Sequence, residues 1–385
     1  MKKVLFICIT LLACFTSCRN DEILPVGGNT DTGGKIVGGD IVGMYVLCEG
    51  NMGSNMCTVD YLDLSEKQST ATYLTNIYPE RNPNTVKELG DVGNDIQIYG
   101  SRMWMVINCS NKVEVVNANT CKRIGQVDIP NCRYVVFDGK YAYVSSFAGP
   151  VQLGGESQLG YVCKVDTATL QIVSKVTVGY QPEEMAVVDG KLYVVNSGGY
   201  RYDQGYDNTM SVIDLATFKE ERKIEIGINS HRLRKDNRGQ LWVTSRGDYN
   251  DVGYSISWLA PNENGDMTVG GTLDVAVGDM CIVGDSLYYI GTAWSNETMS
   301  NTINYGIIDV YKHKIQTTTL SPSPELQFVV LPYGIIVNPE HRDFYVMDAK
   351  DYTTSGELLH FKSDGTFEWK VTTGYIPAHA CFLRK

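Results

Sequence analysis

The chain has 385 residues, 43% hydrophobic and 20% charged, with a formal net charge of -11 at pH 7. An acidic surplus argues against nucleic acid as a partner, because neutralising phosphates takes an excess of Lys and Arg; small neutral ligands are not excluded. The 24 Tyr and 38 Gly suit many short strands joined by tight turns.

Lys2 and Lys3 form a basic start, and Val4 to Phe15 is an apolar run. That run is too short to span a bilayer as a helix and fits the hydrophobic part of a signal peptide over residues 1–17. Phe15-Thr16-Ser17-Cys18 follows, with two small residues before a cysteine. It resembles the lipobox of bacterial lipoproteins, with Phe15 where Leu is usual. The resemblance implies that Cys18 is diacylated and anchors the protein in a membrane, since burying each methylene contributes about 0.8 kcal/mol. The following Arg19-Asn20-Asp21-Glu22 resembles the export signal of surface lipoproteins in Bacteroidetes. Residues 18–40 then carry paired glycines (Gly27-Gly28, Gly33-Gly34, Gly38-Gly39) among polar neighbours. Such a segment buries too little apolar surface to offset its ordering entropy, and acts as a tether reaching roughly 25 Å.

From residue 41 to 385 one pattern recurs. A turn with Asp, Asn or Gly leads into a short strand bearing an aromatic at a fixed place, as in Asp138-Gly139-Lys140-Tyr141-Ala142-Tyr143-Val144 and Asn237-Arg238-Gly239-Gln240-Leu241-Trp242-Val243. The seven aromatic anchors are Tyr45, Trp104, Tyr143, Tyr193, Trp242, Tyr288 and Tyr345. They stand roughly 40 to 60 residues apart, the size of one four-stranded propeller blade. A second strand closes on an Asx turn, as in Met210 to Thr217, and a third follows, as in Lys223-Ile224-Glu225-Ile226. A further segment, such as Glu184-Met185-Ala186-Val187-Val188, leads to the next anchor. The first repeat lacks that leading segment, and the C-terminal Pro377-Ala378-His379-Ala380-Cys381-Phe382-Leu383 matches it. The predicted fold is therefore all-β: a seven-bladed β-propeller closed by the C-terminal strand entering the first blade, which removes an exposed sheet edge. Leu192-Tyr193-Val194-Val195-Asn196-Ser197 and Ser211-Val212-Ile213-Asp214 resemble the signatures of the YVTN/YncE-like propeller family.

In such a propeller two loop sets share one face. One set is predicted at Glu49 to Met56, Phe147 to Gln158, Gly198 to Asn208, Arg246 to Val252, Ala293 to Asn304 and Lys350 to Ser355. It carries Phe147, Tyr200, Tyr202, Tyr206, Arg246, Tyr249, Trp294 and Tyr352, aromatics with adaptable polar neighbours of the kind binding surfaces use. The other set enters the innermost strands and places Asp95, Arg133, Glu183, Glu184, His231, Arg232, Asp279, Tyr333 and His379 at the channel mouth. The ligand-binding candidates are the aromatics and Arg246 of the first set with Arg133, His231, Arg232, Tyr333 and His379 of the second.

None of the five His stands in a metal-ligand spacing, and no nucleophile elbow or phosphate loop is present. No catalytic residue, metal or required cofactor is expected. Cys48 and Cys57 flank one loop and are the best local candidates for a disulfide, while Cys163, Cys281 and Cys381 lie in strands and read as buried thiols.

Lipobox, acidic patch, Gly-rich tether and propeller together resemble the BtuG-type surface lipoproteins of gut Bacteroidetes. The resemblance implies capture of cobalamin or another corrinoid at the cell surface and its delivery to a TonB-dependent outer-membrane transporter. A corrin is broad, partly apolar and rimmed by amides, which Tyr, Trp, Asn, Gln and Arg can match. A glycan or peptide ligand, a metal-dependent lactonase or lyase, and a structural surface protein are the alternatives.

Overall fold

A computed structural model describes residues 39–385 except 66–71, 86, 152–157, 202 and 296–298. The signal segment, Cys18 and nearly all of the tether therefore lie outside the described residues.

The described chain forms seven antiparallel sheets of four strands. Two short helical turns, Ile77–Arg81 and Pro324–Phe328, sit in the connections. Blade 1 runs from Pro377–Arg384 through Ile41–Cys48 and Thr58–Asp63 to Thr72–Leu74. Blades 2 to 7 follow in chain order, with inner strands Gly93–Tyr99, Cys132–Asp138, Pro182–Val188, Ser230–Lys235, Asp279–Val283 and Pro332–Val337. These seven inner strands touch one another in a closed cycle, which makes the sheets a ring.

The core lies in the seams between blades. Alternation along a strand sends successive side chains to opposite faces of a sheet. In Ile41–Cys48, Met44 and Val46 face blade 7 while Tyr45 and Leu47 face blade 2. Each of the seven buried clusters holds one anchor: Tyr45, Trp104, Tyr143, Tyr193, Trp242, Tyr288 or Tyr345. The fixed aromatic of the repeat is thus the side chain that fills the gap to the neighbouring blade.

The last strand closes the ring as expected. Tyr45 pairs with Cys381 and Val46 with Ala380. Asp60 reinforces this seam, accepting N–H groups from Asn76 at 2.7 Å and from Gly374 of blade 7 at 3.0 Å, and the Tyr73 hydroxyl at 2.9 Å.

Two expectations are corrected. The eight described cysteines are free, Cys48 and Cys57 included. Cys48 packs in the seam toward blade 7 and Cys57 in the seam toward blade 2, so the sheet itself separates them. The segment Ala293 to Asn304 is not wholly loop, because the blade 6 hairpin continues, pairing Ala293 with Thr302 and Ser295 with Ser300.

Candidate ligand site at the channel mouth

The mouth is built by a repeated backbone irregularity. Where the inner strands of blades 2, 3, 4, 5 and 7 begin, the pairing to the next strand slips: between Gly93 and Asp95, Cys132 and Val135, Pro182 and Met185, Ser230 and Leu233, and Pro332 and Gly334. Blade 1 slips between Leu47 and Cys48, opposite His379 and Pro377. The residue just before the strand takes a left-handed φ at Val92, Asn131, Gln181, Asn229 and Ile376. A bulge leaves residues out of the ladder and re-aims them. Here it concentrates Asn94, Asp95, Arg133, Tyr134, Glu183, Glu184, His231, Arg232, Tyr333 and His379 around the axis, where Asp279 of blade 6 joins them.

Some of these groups are structural. Asp95, Glu184 and Asp279 each accept a backbone N–H from the next blade: Val135 at 2.9 Å, Leu233 at 2.8 Å and Ile335 at 3.0 Å. Arg232 joins Glu184 at 2.9 Å, Asp279 at 3.3 Å, the Tyr134 hydroxyl at 3.2 Å and the Gly278 carbonyl at 3.2 Å. Arg234 pairs with the same two carboxylates. Burial opposes ionisation of Glu184, but Arg234 and Arg232 outweigh it and hold the carboxyl below its ordinary range. His231 donates from Nε2 to the Gly278 carbonyl at 3.1 Å and accepts at Nδ1 from the Thr244 hydroxyl at 2.9 Å. Burial, then the Arg246 and Arg232 charges, push its imidazole well below the usual pKa, so it is neutral. Together these residues form a hydrogen-bonded floor. Beneath it lies a channel cavity of about 510 Å³, lined by inner-strand residues of all seven blades.

A second ring stands above this floor. It consists of the residues that follow the second strands, each tied by its N–H to the residue before the inner strand: Glu49 to Ile376, Asn108 to Val92, Phe147 to Asn131, Ser197 to Gln181, Arg246 to Asn229 and Ala349 to Leu331. Glu49 accepts the Tyr333 hydroxyl at 3.2 Å and lies 3.7 Å from His379 Nε2. Phe147 packs under the Arg133 guanidinium at 4.5 Å and edge-on to Tyr200 at 5.1 Å. Arg133 also donates to Asn94 at 2.8 Å and lies 3.5 Å from Glu183, whose other oxygen accepts the Ser197 hydroxyl at 3.3 Å. Burial raises the phenol pKa of Tyr200 and Tyr352 above the ordinary value, and the Arg246 charge opposes that rise. Tyr333 meets Tyr352 edge-on at 5.8 Å, and the Glu49 charge, then burial, keeps its phenol protonated.

The structure thus brings Arg133, Phe147, Tyr200, Arg246, Tyr333, Tyr352 and His379 to one inner rim, with His231 and Arg232 in the floor below. Tyr249 stands further out, 6.1 Å from Tyr254 and close to Tyr206. Tyr202 and the Trp294 side chain lie outside the described residues. Glu49, Tyr134 and Asn94 were missed as site residues. Aligning the first residue after each anchor strand would have found Glu49 beside Phe147 and Arg246. Exposed apolar side chains of the segments that follow the second strands or precede the blade 7 inner strand include Met52, Met56, Phe328, Val330 and Tyr352.

A second cavity, about 670 Å³, opens between blades 7 and 1 and reaches Asp60. Its carboxylate is already used by the seam. Among the described residues no group of three or more His, Cys, Asp or Glu could hold a metal ion.

No protein-family model and no curated protein matches the sequence. Solved structures do. A periplasmic gluconolactonase of Pseudomonas aeruginosa has a TM-score of 0.60 at 12% identity, covering 88% of this chain and 99% of its own. A putative 6-phosphogluconolactonase of Bacteroides fragilis has 0.59 at 9%, covering 89% and 98%. A quinoprotein alcohol dehydrogenase-like protein of Bacteroides thetaiotaomicron has 0.59 at 12%, covering 89% and 78%. The likeness is one of fold. At such identities the propeller is shared and the chemistry of those proteins does not transfer.

Proposed function

We propose that the protein is a lipid-anchored surface receptor that captures a corrinoid, cobalamin in the first instance, at the channel mouth and delivers it to a TonB-dependent outer-membrane transporter. The observation that carries the binding reading is the crowding of aromatic, exposed apolar and polar side chains onto one face around the axis. Such a concentration on one face marks an interaction site. The lipobox-like run ending at Cys18 and the Gly-rich tether support surface anchoring. The resemblance to surface cobalamin-binding lipoproteins supplies the ligand class.

Binding without turnover is part of the proposal. Asp95, Glu184 and Asp279 hold backbone N–H groups of the next blade, which disfavours them as a general base or as metal ligands.

Gel filtration of the chain from Arg19 to Lys385 with cyanocobalamin tests the reading. Corrin absorbance is expected to travel with the protein peak. Free cobalamin eluting at the column volume would reject corrinoid capture and turn attention to glycans, to be screened by affinity electrophoresis.

A further inference from the structure

We propose that Arg246 seats an anionic oxygen group of the captured ligand, a phosphate or a carboxylate. The inference rests on the mouth being the ligand site.

The other cations of the mouth are occupied. Arg133 has Asn94, Glu183 and the Phe147 ring. Arg232 and Arg234 share Glu184 and Asp279. His379 faces Glu49. The Arg246 guanidinium makes no hydrogen bond or ion pair among the described residues, although its backbone is fixed by the N–H to the Asn229 carbonyl at 3.3 Å. Its position in the repeat matches Glu49 and Phe147, whose side chains both reach the mouth. The nearest acid in sequence, Asp248, turns away, accepting the N–H groups of Asn250 at 2.9 Å and Val252 at 2.8 Å.

A half-buried guanidinium is partly stripped of water and offers a planar fork of donors. Such a fork matches two oxygens of a phosphate or carboxylate, and the reduced local dielectric strengthens the pair. A neutral ligand would leave this charge unanswered.

Affinities of the native protein and Arg246→Gln for cyanocobalamin and for cobinamide test the assignment, because cobinamide carries the same ring without the phosphate, ribose and base. Arg246→Gln is expected to weaken cyanocobalamin about tenfold or more, the loss of one charge-assisted hydrogen bond, and to leave cobinamide nearly unchanged. Equal losses on both, or no loss on either, would overturn the anion seat while corrinoid capture stood. Arg246→Lys, which keeps the charge but not the fork, is expected to recover part of the affinity and guards against misfolding of the first variant.

If neither corrinoid binds the native protein, the capture reading falls and the seat is tested without it. Phenylglyoxal modification of Arg246 is followed by mass spectrometry with inorganic phosphate, with acetate, or with neither. Arg342, in the turn at the opposite end of blade 7, is the control. Selective slowing at Arg246 by phosphate or by acetate supports an anion seat and says which group it prefers. Equal rates under all three conditions would reject it.

Discussion

His231 is enclosed by groups with fixed roles. The Gly278 carbonyl can only accept, so it demands a proton on Nε2 and leaves Nδ1 for the Thr244 hydroxyl. Arg232, Arg234 and Arg246 all oppose a second proton. The folded-state pKa therefore lies below the unfolded value of about 6.5. Below that pH the unfolded chain takes up a proton that the folded protein refuses, so stability is present above it and falls as the pH drops. Urea midpoints at pH 7.5 and pH 5.5 are expected to show this loss. Gln can replace the donor to Gly278 and the acceptor for Thr244, so His231→Gln is expected to reduce the difference between the two midpoints. An unchanged difference would assign the pH dependence elsewhere. The sequence placed His231 at the mouth as a candidate contact. Its hydrogen bonds come from Gly278 of blade 6 and from Thr244 of strand Leu241–Ser245, and its low pKa from burial and the Arg246 and Arg232 charges, a setting that no local reading brings together.

At the scale of elements, the anchor strands and the bulged inner strands divide the work. Trp242 is fully buried between blades 5 and 6, and its indole nitrogen donates to Asp236 at 3.4 Å. Trp242→Ala is expected to lower unfolding stability by about 3 to 5 kcal/mol, through lost transfer energy and the cavity left behind. Tyr249 is 48% exposed, outside the inner rim of the mouth. Tyr249→Ala is expected to shift stability by less than about 0.5 kcal/mol, and the pair of denaturant curves separates seam from surface. The anchors were legible because a repeated aromatic at one strand position must face a repeated seam. The bulges were not, since Asn131, Gln181 and Asn229 share only a left-handed φ set by the ring geometry. The longer blade 6 hairpin resembles loop in sequence because its pairing partner, Ser300–Asp309, carries polar residues where the strand begins.

At the scale of the molecule, the ring depends on its last strand. Without Pro377–Arg384, Ile41–Cys48 would expose an unpaired edge, and Cys381 and Leu383 would leave the seam between blades 1 and 2. A chain ending at Tyr375 is expected to lose cooperative thermal unfolding and to elute from gel filtration as aggregates. A monomer unfolding at the native midpoint would show that the other six blades hold the ring unaided. The closed ring also gives the mouth its chemistry. Arg232 of blade 5 meets Tyr134 of blade 3, Glu184 of blade 4 and Asp279 of blade 6 only because the inner strands converge on one axis.

What the sequence determined by itself is the repeat, the strand alternation, the seven anchors and the closing strand. These follow from local periodicity and from the need to bury one face of each sheet against the next. It also marked the loops that share a face, because in a ring of identical topology corresponding loops emerge on the same side. Only the tertiary structure decided which charges are answered. Arg133, Arg232 and Arg246 look alike along the chain, yet two are neutralised by carboxylates from other blades and one is not. It also separated Cys48 from Cys57, since Cys48 pairs with Thr58 and the residue before it points to the opposite seam. Pairing across blades depends on convergence around the axis, a distance that sequence spacing does not encode.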